Sequence, residues 1–217
     1  MDLYFAPLAC SMASRIALYE AGATANYVYV DIHTDPHARR LADGSDYYAI
    51  NPMGQVPAIR TDEGELITEN PVVLQWVADH HPTSKLAPPS GPPRYKLQQW
   101  LNFIGTELHK ATYIPLLSRT SPEGAKEFAR QKLQLRMTYL GRALDSGEYL
   151  PRRFSVADCY LVTVLNWSAF VGLDLTRWPA VSEYYDRVRR RPCVAKALTE
   201  EKAIFGEEQE RARPATV

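Results

Sequence analysis

The spacing of apolar and polar positions changes character part-way along the chain. In the first part, short apolar runs alternate with helical stretches. Leu3-Tyr4-Phe5 reads as a short strand that stops at Ala6-Pro7. Ser11 opens a helical stretch to about Gly22, with Ile16, Ala17 and Leu18 as core candidates and Gly22 as its stop. Tyr27-Val28-Tyr29-Val30, β-branched and aromatic, reads as a second strand, and the polar stretch from His33 to Asp46 as loop with one helical turn. Asn51-Pro52-Met53-Gly54-Gln55-Val56 makes a turn into a strand over Pro57-Ala58-Ile59-Arg60. Asp62-Glu63-Gly64-Glu65 is a hairpin turn, and Leu66-Ile67-Thr68 is the returning strand. Pro71 to His80 carries Val72, Val73, Trp76 and Val77 at helical spacing. The order βαβ(α)ββα predicts a small mixed sheet with a parallel central pair and an antiparallel last hairpin.

Residues 82–93 hold five prolines and one glycine, a composition that predicts a linker without helix. Helical spacing dominates from there on. Tyr95 to about Leu117 puts Leu97, Trp100, Leu101, Ile104 and Leu108 on one stripe. Further helices are predicted from Pro122 to about Leu144, from Ser155 to about Val171 and from Trp178-Pro179 to Arg191-Pro192. A short fifth opens at Pro192. After about Gly206 the chain is charged and poor in apolar residues, which predicts a disordered tail. The division is an α/β domain over 1–81, a linker over 82–93, an all-helical domain over 94–206 and a tail over 207–217.

A chain of 217 residues buries roughly 70% of its unfolded surface, so it needs neither disulfide nor metal to fold. Its net charge is zero, which removes the global electrostatic case for nucleic acid. The balance is uneven: residues 1–85 carry 5 Lys/Arg against 11 Asp/Glu, and residues 86–217 carry 20 against 14, which fits two separate units. Three widely spaced cysteines form no disulfide framework and no metal-ligand pattern. With no signal-like N-terminus and no long apolar run, the expected location is a reducing cytoplasm.

Cys10 lies between a strand and a helix. A thiol at a helix N-terminus can ionise near neutral pH, but a small buried hydrophobe fits the position equally well. Cys159 and Cys193 sit in helical patterns and read as core. Gln55-Val56-Pro57 reads as a plain trans turn or as a cis X–Pro turn that presents backbone groups to a peptide-like ligand. Asn70 is a good N-cap for the helix after Glu69, and that helix start could also receive a ligand carboxylate, with Glu69 meeting an ammonium. Ser155-Val156-Ala157-Asp158 has capping-box spacing, so Asp158 reads as a helix anchor. Asn102, Thr106 and His109 share one face of their helix, beside Lys110. Arg187-Val188-Arg189-Arg190-Arg191 reads as a solvated helix end.

These stretches, in this order over about residues 1–200, resemble cytosolic glutathione transferases, and specifically the bacterial beta class. The shared segments are Pro7 with Cys10-Ser11, Ala49-Ile50-Asn51-Pro52-Met53-Gly54-Gln55-Val56-Pro57, Leu66-Ile67-Thr68-Glu69, Trp100-Leu101-Asn102-Phe103, Glu107-Leu108-His109-Lys110 and Phe154-Ser155-Val156-Ala157-Asp158. The resemblance implies a thioredoxin-like N-terminal domain, an all-helical C-terminal domain, glutathione as co-substrate, no metal and a homodimer. It implies that Cys10 faces the glutathione sulfur and that the backbone of Val56, between Gln55 and a cis Pro57, holds the cysteinyl unit. Glu69 and Asn70 would grip the γ-glutamyl end. Catalytic Cys10 and His109, with glutathione-binding Lys110, would border the thiol, and Asn102 and Thr106 would reach the neighbouring subunit's glutathione. Tyr113 and Trp167 would join His109 in a hydrophobic wall for an electrophile. Ser155 and Asp158 would form the structural cap. The family's glycyl-gripping lysine aligns with Asp35, leaving Arg39, Arg40 or His37 as substitutes. The expected activity is glutathione transfer to, or thiol exchange with, hydrophobic electrophiles. The rivals are a catabolic glutathione-dependent lyase or dehalogenase and a non-catalytic interaction module.

Overall fold

The computed structural model describes residues 1–32, 38–145, 147–150 and 152–211. Its first unit is a five-stranded mixed sheet in the order β3-β2-β1-β4-β5. The strands are β1 (Asp2–Phe5), β2 (Asn26–Asp31), β3 (Arg40–Leu41), β4 (Ala58–Arg60) and β5 (Leu66–Thr68). β1 and β2 run parallel with Leu3 opposite Tyr27, while β4 lies antiparallel to β1 with Ile59 opposite Leu3, and β5 antiparallel to β4. The two-residue side-chain period divides β1 between two cores. Leu3 and Phe5 face α1 (Met12–Glu20), α2 (Asn70–His80) and the helical unit, whereas Tyr4 packs with Val30, Tyr47, Val56 and Ala58 on the other face.

The stretch expected to be loop contains β3, which pairs Leu41 with Val30 and Arg40 with Asp31. Such a short polar strand is defined by its partner and carries no propensity signal of its own. Asp35 and His37 lie outside the described residues. Arg39 donates to the carbonyl of Ile32 at 2.8 Å and Arg40 to that of Gly44 at 3.5 Å.

The second unit is helical: α3 (Gly91–Asn102), a π-helical stretch (Phe103–Tyr113), α4 (Ile114–Leu117), α5 (Glu123–Leu144), α6 (Val156–Asn166), α7 (Pro179–Val188) and α8 (Pro192–Arg211). Two boundaries differ from the sequence reading. First, α3 starts inside the proline-rich stretch, with Pro92 and Pro93 in its first turn, where the missing N–H groups have no intrahelical partner to lose. Second, the final helix is long, not short, and continues past Gly206 to Arg211. Polar contacts hold it there: buried Glu208 accepts from the Tyr29 hydroxyl of β2 at 2.6 Å.

α6 is buried along its whole length, which accounts for Cys159. The capping box forms as expected. Asp158 accepts from the Ser155 N–H at 2.9 Å and the Ser155 hydroxyl accepts from Ala157 N–H at 3.2 Å. Asp158 also accepts from Leu150 N–H at 3.0 Å and the Tyr184 hydroxyl at 2.8 Å. The box thus ties α6 to α7 and to the preceding loop. The basic run ends in an ion pair: Arg191 grips Glu20 of α1 with two bonds of 2.9 Å.

One glycine is required by contact. Gly54 has φ +61°, and a Cβ there would lie 2.5 Å from the Tyr48 ring.

Candidate active site

A cavity of about 220 Å³ opens where the sheet unit meets the helical unit. From the first unit come Cys10, the Asn51–Pro57 turn and the Thr68–Pro71 corner; from the second come Asn102, Gly105, Thr106, His109, Lys110 and Tyr160. The pattern therefore converges: Cys10, Gln55, Val56, Pro57, Glu69, Asn70, Asn102, Thr106, His109 and Lys110 all line one space.

Cys10 sits two residues before α1, with Ser11 as N-cap. Its thiol donates to the Val56 carbonyl oxygen at 3.0 Å, and the Val56–Pro57 bond is cis. Burial pushes the thiol up to about 12, and the positive charge of Lys110 only partly opposes this. The environment of Cys10 thus opposes the low-pKa thiolate that a helix N-terminus could favour. Cys10 precedes the first helical turn, and desolvation of the anion outweighs the dipole.

The turn carrying Val56 is held at Gln55, whose carbonyl accepts from the Asn51 amide at 2.8 Å and the Tyr47 hydroxyl at 2.9 Å. Glu69, with φ 66°, occupies the N-cap position of α2, and Asn70 is the first helical residue, not the cap. The Asn70 amide instead donates to the Cys10 carbonyl at 3.2 Å while its oxygen accepts from Ser14 at 3.1 Å. Asn70 therefore braces the Cys10 turn against α2, and Glu69 is the charged group left at that end of the cavity.

On the helical side, His109 Nδ1 lies 2.7 Å from the Tyr160 hydroxyl. Burial, aided by Lys110, lowers the imidazole to about 3, so the ring is neutral at physiological pH. Asn102 and Thr106 hydrogen-bond back to their own helix at Gln98 and Asn102, both at 2.9 Å, and line this chain's own cavity. The π-helical stretch carries Gly105, Thr106, His109 and Lys110, and such widened turns cluster at functional sites.

Tyr113 and Trp167 do not line the cavity. Tyr113 is buried against Ser168 at 2.7 Å, and buried Trp167 donates its Nε1–H to the Leu8 carbonyl at 2.8 Å. Sequence reading also missed Tyr160 and Asn51. Tyr160 lies among buried, mostly apolar residues of α6, so the pattern reads it as core. Asn51 was legible as an Asx turn, since its side chain accepts from Met53 N–H at 3.1 Å. Among the described residues no cluster could hold a metal, and no helix is long and apolar enough to cross a membrane.

Two family descriptions match the chain: the N-terminal domain of glutathione S-transferases over residues 9–80 and the C-terminal domain over residues 124–187. The chain is also 40% identical over 203 residues to glutathione S-transferase GstA of Escherichia coli O157:H7, covering 93% of this chain and 98% of that protein. The chain belongs to the glutathione S-transferase family. Among solved relatives, a sphingomonad glutathione S-transferase complexed with glutathione is 39% identical with a TM-score of 0.87, covering 93% of this chain and 99% of that one. The bacterial beta class glutathione S-transferase of Sphingomonas chungbukensis is 40% identical with a TM-score of 0.86, covering 93% and 98%. This transferase is thus of the bacterial beta class.

Proposed function

We propose that this chain binds glutathione in the cavity beside Cys10 and transfers it to hydrophobic electrophiles or exchanges it with disulfides. The observation that carries this reading is the Cys10 thiol, 3.0 Å from the Val56 carbonyl and facing a cavity that holds Glu69 at one end and Lys110 at the rim. Glu69 receives the γ-glutamyl ammonium. The Val56 backbone pairs with the cysteinyl unit, as an added strand would. That sets the glutathione sulfur beside Cys10.

In transfer, the glutathione thiol gives its proton to water. The thiolate then forms a carbon–sulfur bond with the electrophile, whose leaving group departs with the bonding pair. Cys10, a neutral and weak donor, turns its S–H from Val56 towards that thiolate. Neutral His109 is too weak a base to take the proton. It keeps Tyr160 oriented and the wall desolvated. Holding both reactants together supplies most of the rate. In exchange, the Cys10 thiol first loses its proton to water; the thiolate then attacks one sulfur of oxidised glutathione, the sulfur–sulfur bond breaks as the mixed disulfide forms, and the other glutathione leaves as a thiolate that takes up a proton. Charge from Lys110 assists that ionisation.

A homodimer fits the exposed apolar side chains Val72 of α2, Tyr95 of α3 and Leu135 and Tyr139 of α5. Sedimentation at twice the chain mass supports it, and a monomer overturns it. Three unpaired cysteines suit a reducing cytoplasm. The test of the function is intact-mass spectrometry after incubation with oxidised glutathione. One adduct on the wild type and none on Cys10→Ala is expected. No adduct on either would move the chain towards a non-catalytic interaction module.

A further inference from the structure

We propose that Glu201 and Trp167, both outside the cavity, position the Cys10 thiol by clamping the Leu8 peptide from two sides. The proposal rests on Cys10 being the thiol that meets glutathione. Leu8 lies two residues before Cys10 and has φ 57°, a region costly for a residue with a β-carbon. Both of its backbone polar groups are taken by distant elements. Its N–H donates to Glu201 Oε2 of α8 at 2.7 Å, and its carbonyl accepts from Trp167 Nε1 at 2.8 Å. Neither bond is a turn bond, since the partners lie 193 and 159 residues away.

The clamp is itself anchored. Glu201 is fully buried and pairs with Arg15 Nε of α1 at 3.1 Å. The Arg15 guanidinium lies against both the Phe5 and Tyr27 rings, 4.2 Å from each centroid. Glu201 is a buried carboxyl whose one hydrogen bond, through Oε2, goes to a strained peptide, which marks that peptide as worth holding. Downstream, Leu8 leads straight into the turn in which Met12 N–H donates to Ala9 O at 3.1 Å and Cys10 reaches Val56. If the clamp is released, Leu8 relaxes towards negative φ, the turn swings and the thiol leaves Val56 for water.

Iodoacetamide labelling of the full chain, read by peptide mass spectrometry with Cys193 as internal reference, tests this without glutathione. A parallel oxidised-glutathione incubation of the wild type tests the glutathione reading separately. In Glu201→Ala, Cys10 labelling relative to Cys193 rises about tenfold, the effect of roughly one unit in thiol pKa as water reaches the sulfur. Glutathione adduct formation falls in the same variant. Glu201→Gln keeps an acceptor for Leu8 N–H and keeps the wild-type ratio. Adding Leu8→Gly to Glu201→Ala lowers the ratio part-way towards the wild type, because glycine adopts φ 57° without the strain that drives Leu8 away from it. Should Glu201→Ala not fold, Trp167→Phe removes the Nε1 donor together with part of the buried ring, keeps an aromatic group at the position, and shifts the ratio in the same direction. An unchanged ratio in both Glu201→Ala and Trp167→Phe overturns the proposal. So does a Glu201→Gln variant that behaves like Glu201→Ala, because the charge pair with Arg15 and not the clamp would then matter.

Discussion

The Cys10 thiol donates to the Val56 carbonyl oxygen, which ties the residue expected to meet the glutathione sulfur to the backbone expected to hold the glutathione peptide. A ligand strand arriving at Val56 therefore competes for, or lies against, the carbonyl that Cys10 uses. Binding and thiol orientation are coupled through one carbonyl.

The state of that thiol is open to direct measurement. Burial raises Cys10 to about 12, so its alkylation in the empty protein should still be climbing at about pH 10, well beyond the ordinary thiol midpoint near 8.5. Stopped aliquots of iodoacetamide reactions across pH give the profile. A plateau reached below about pH 8 would mean that the helix N-terminus and Lys110 outweigh desolvation after all.

His109 gives a stability signature. Its folded value of about 3 lies below the ordinary 6.5, so the unfolded chain takes up a proton that the folded one refuses between those limits. Its contribution is fully present above pH 6.5 and is lost as pH falls towards 3. Urea unfolding of the wild type should therefore lose stability on acidification faster than His109→Phe. The buried carboxyls Asp158 and Glu201, raised to about 7 and about 8, act with the opposite sign but are common to both proteins. Parallel pH curves would place His109 in water instead.

Asp158 gathers four donors: Leu150 N–H, Ser155 N–H, the Ser155 hydroxyl and the Tyr184 hydroxyl. Asp158→Ala strands them in the core and removes a helix cap. A loss of about 3–5 kcal/mol is expected in denaturant unfolding, since stranded buried groups cost about 1–3 kcal/mol each and the site can relax in part. A loss under about 1 kcal/mol would show that α6 holds its start without the box.

Gly54→Ala should lower stability by about 1–3 kcal/mol through its left-handed φ and its contact with Tyr48. Thermal melts of Gly54→Ala alone and with Tyr48→Ala separate the two causes, because only the contact is relieved by the second change. Equal melting of wild type and Gly54→Ala would contradict the geometry.

The sequence made the site's parts legible wherever a local rule speaks. Pro57, Gly54 and the Ser155–Asp158 spacing are punctuation with fixed backbone meaning. The apolar run of β1 and the periodicity of Pro71–His80 mark buried segments. What stayed hidden depends on distant partners. β3 exists only through its pairing with β2. The helical state of 207–211 rests on contacts such as Glu208 to Tyr29. Asn70 looked like a cap and proved a brace, because Glu69 takes the cap position. Trp167 entered the expected substrate wall through the family resemblance, and no local pattern shows which way its indole faces. Its indole N–H is spent on Leu8, a residue 159 positions away.

The most direct test of the account is a calorimetric titration of reduced glutathione into the wild type and Glu69→Ala. The wild type should saturate at one site per chain. Glu69→Ala should bind about tenfold more weakly, as loss of a charged hydrogen bond of roughly 1.5 kcal/mol implies. No saturable heat with the wild type at millimolar glutathione would contradict the claim that this cavity is a glutathione site.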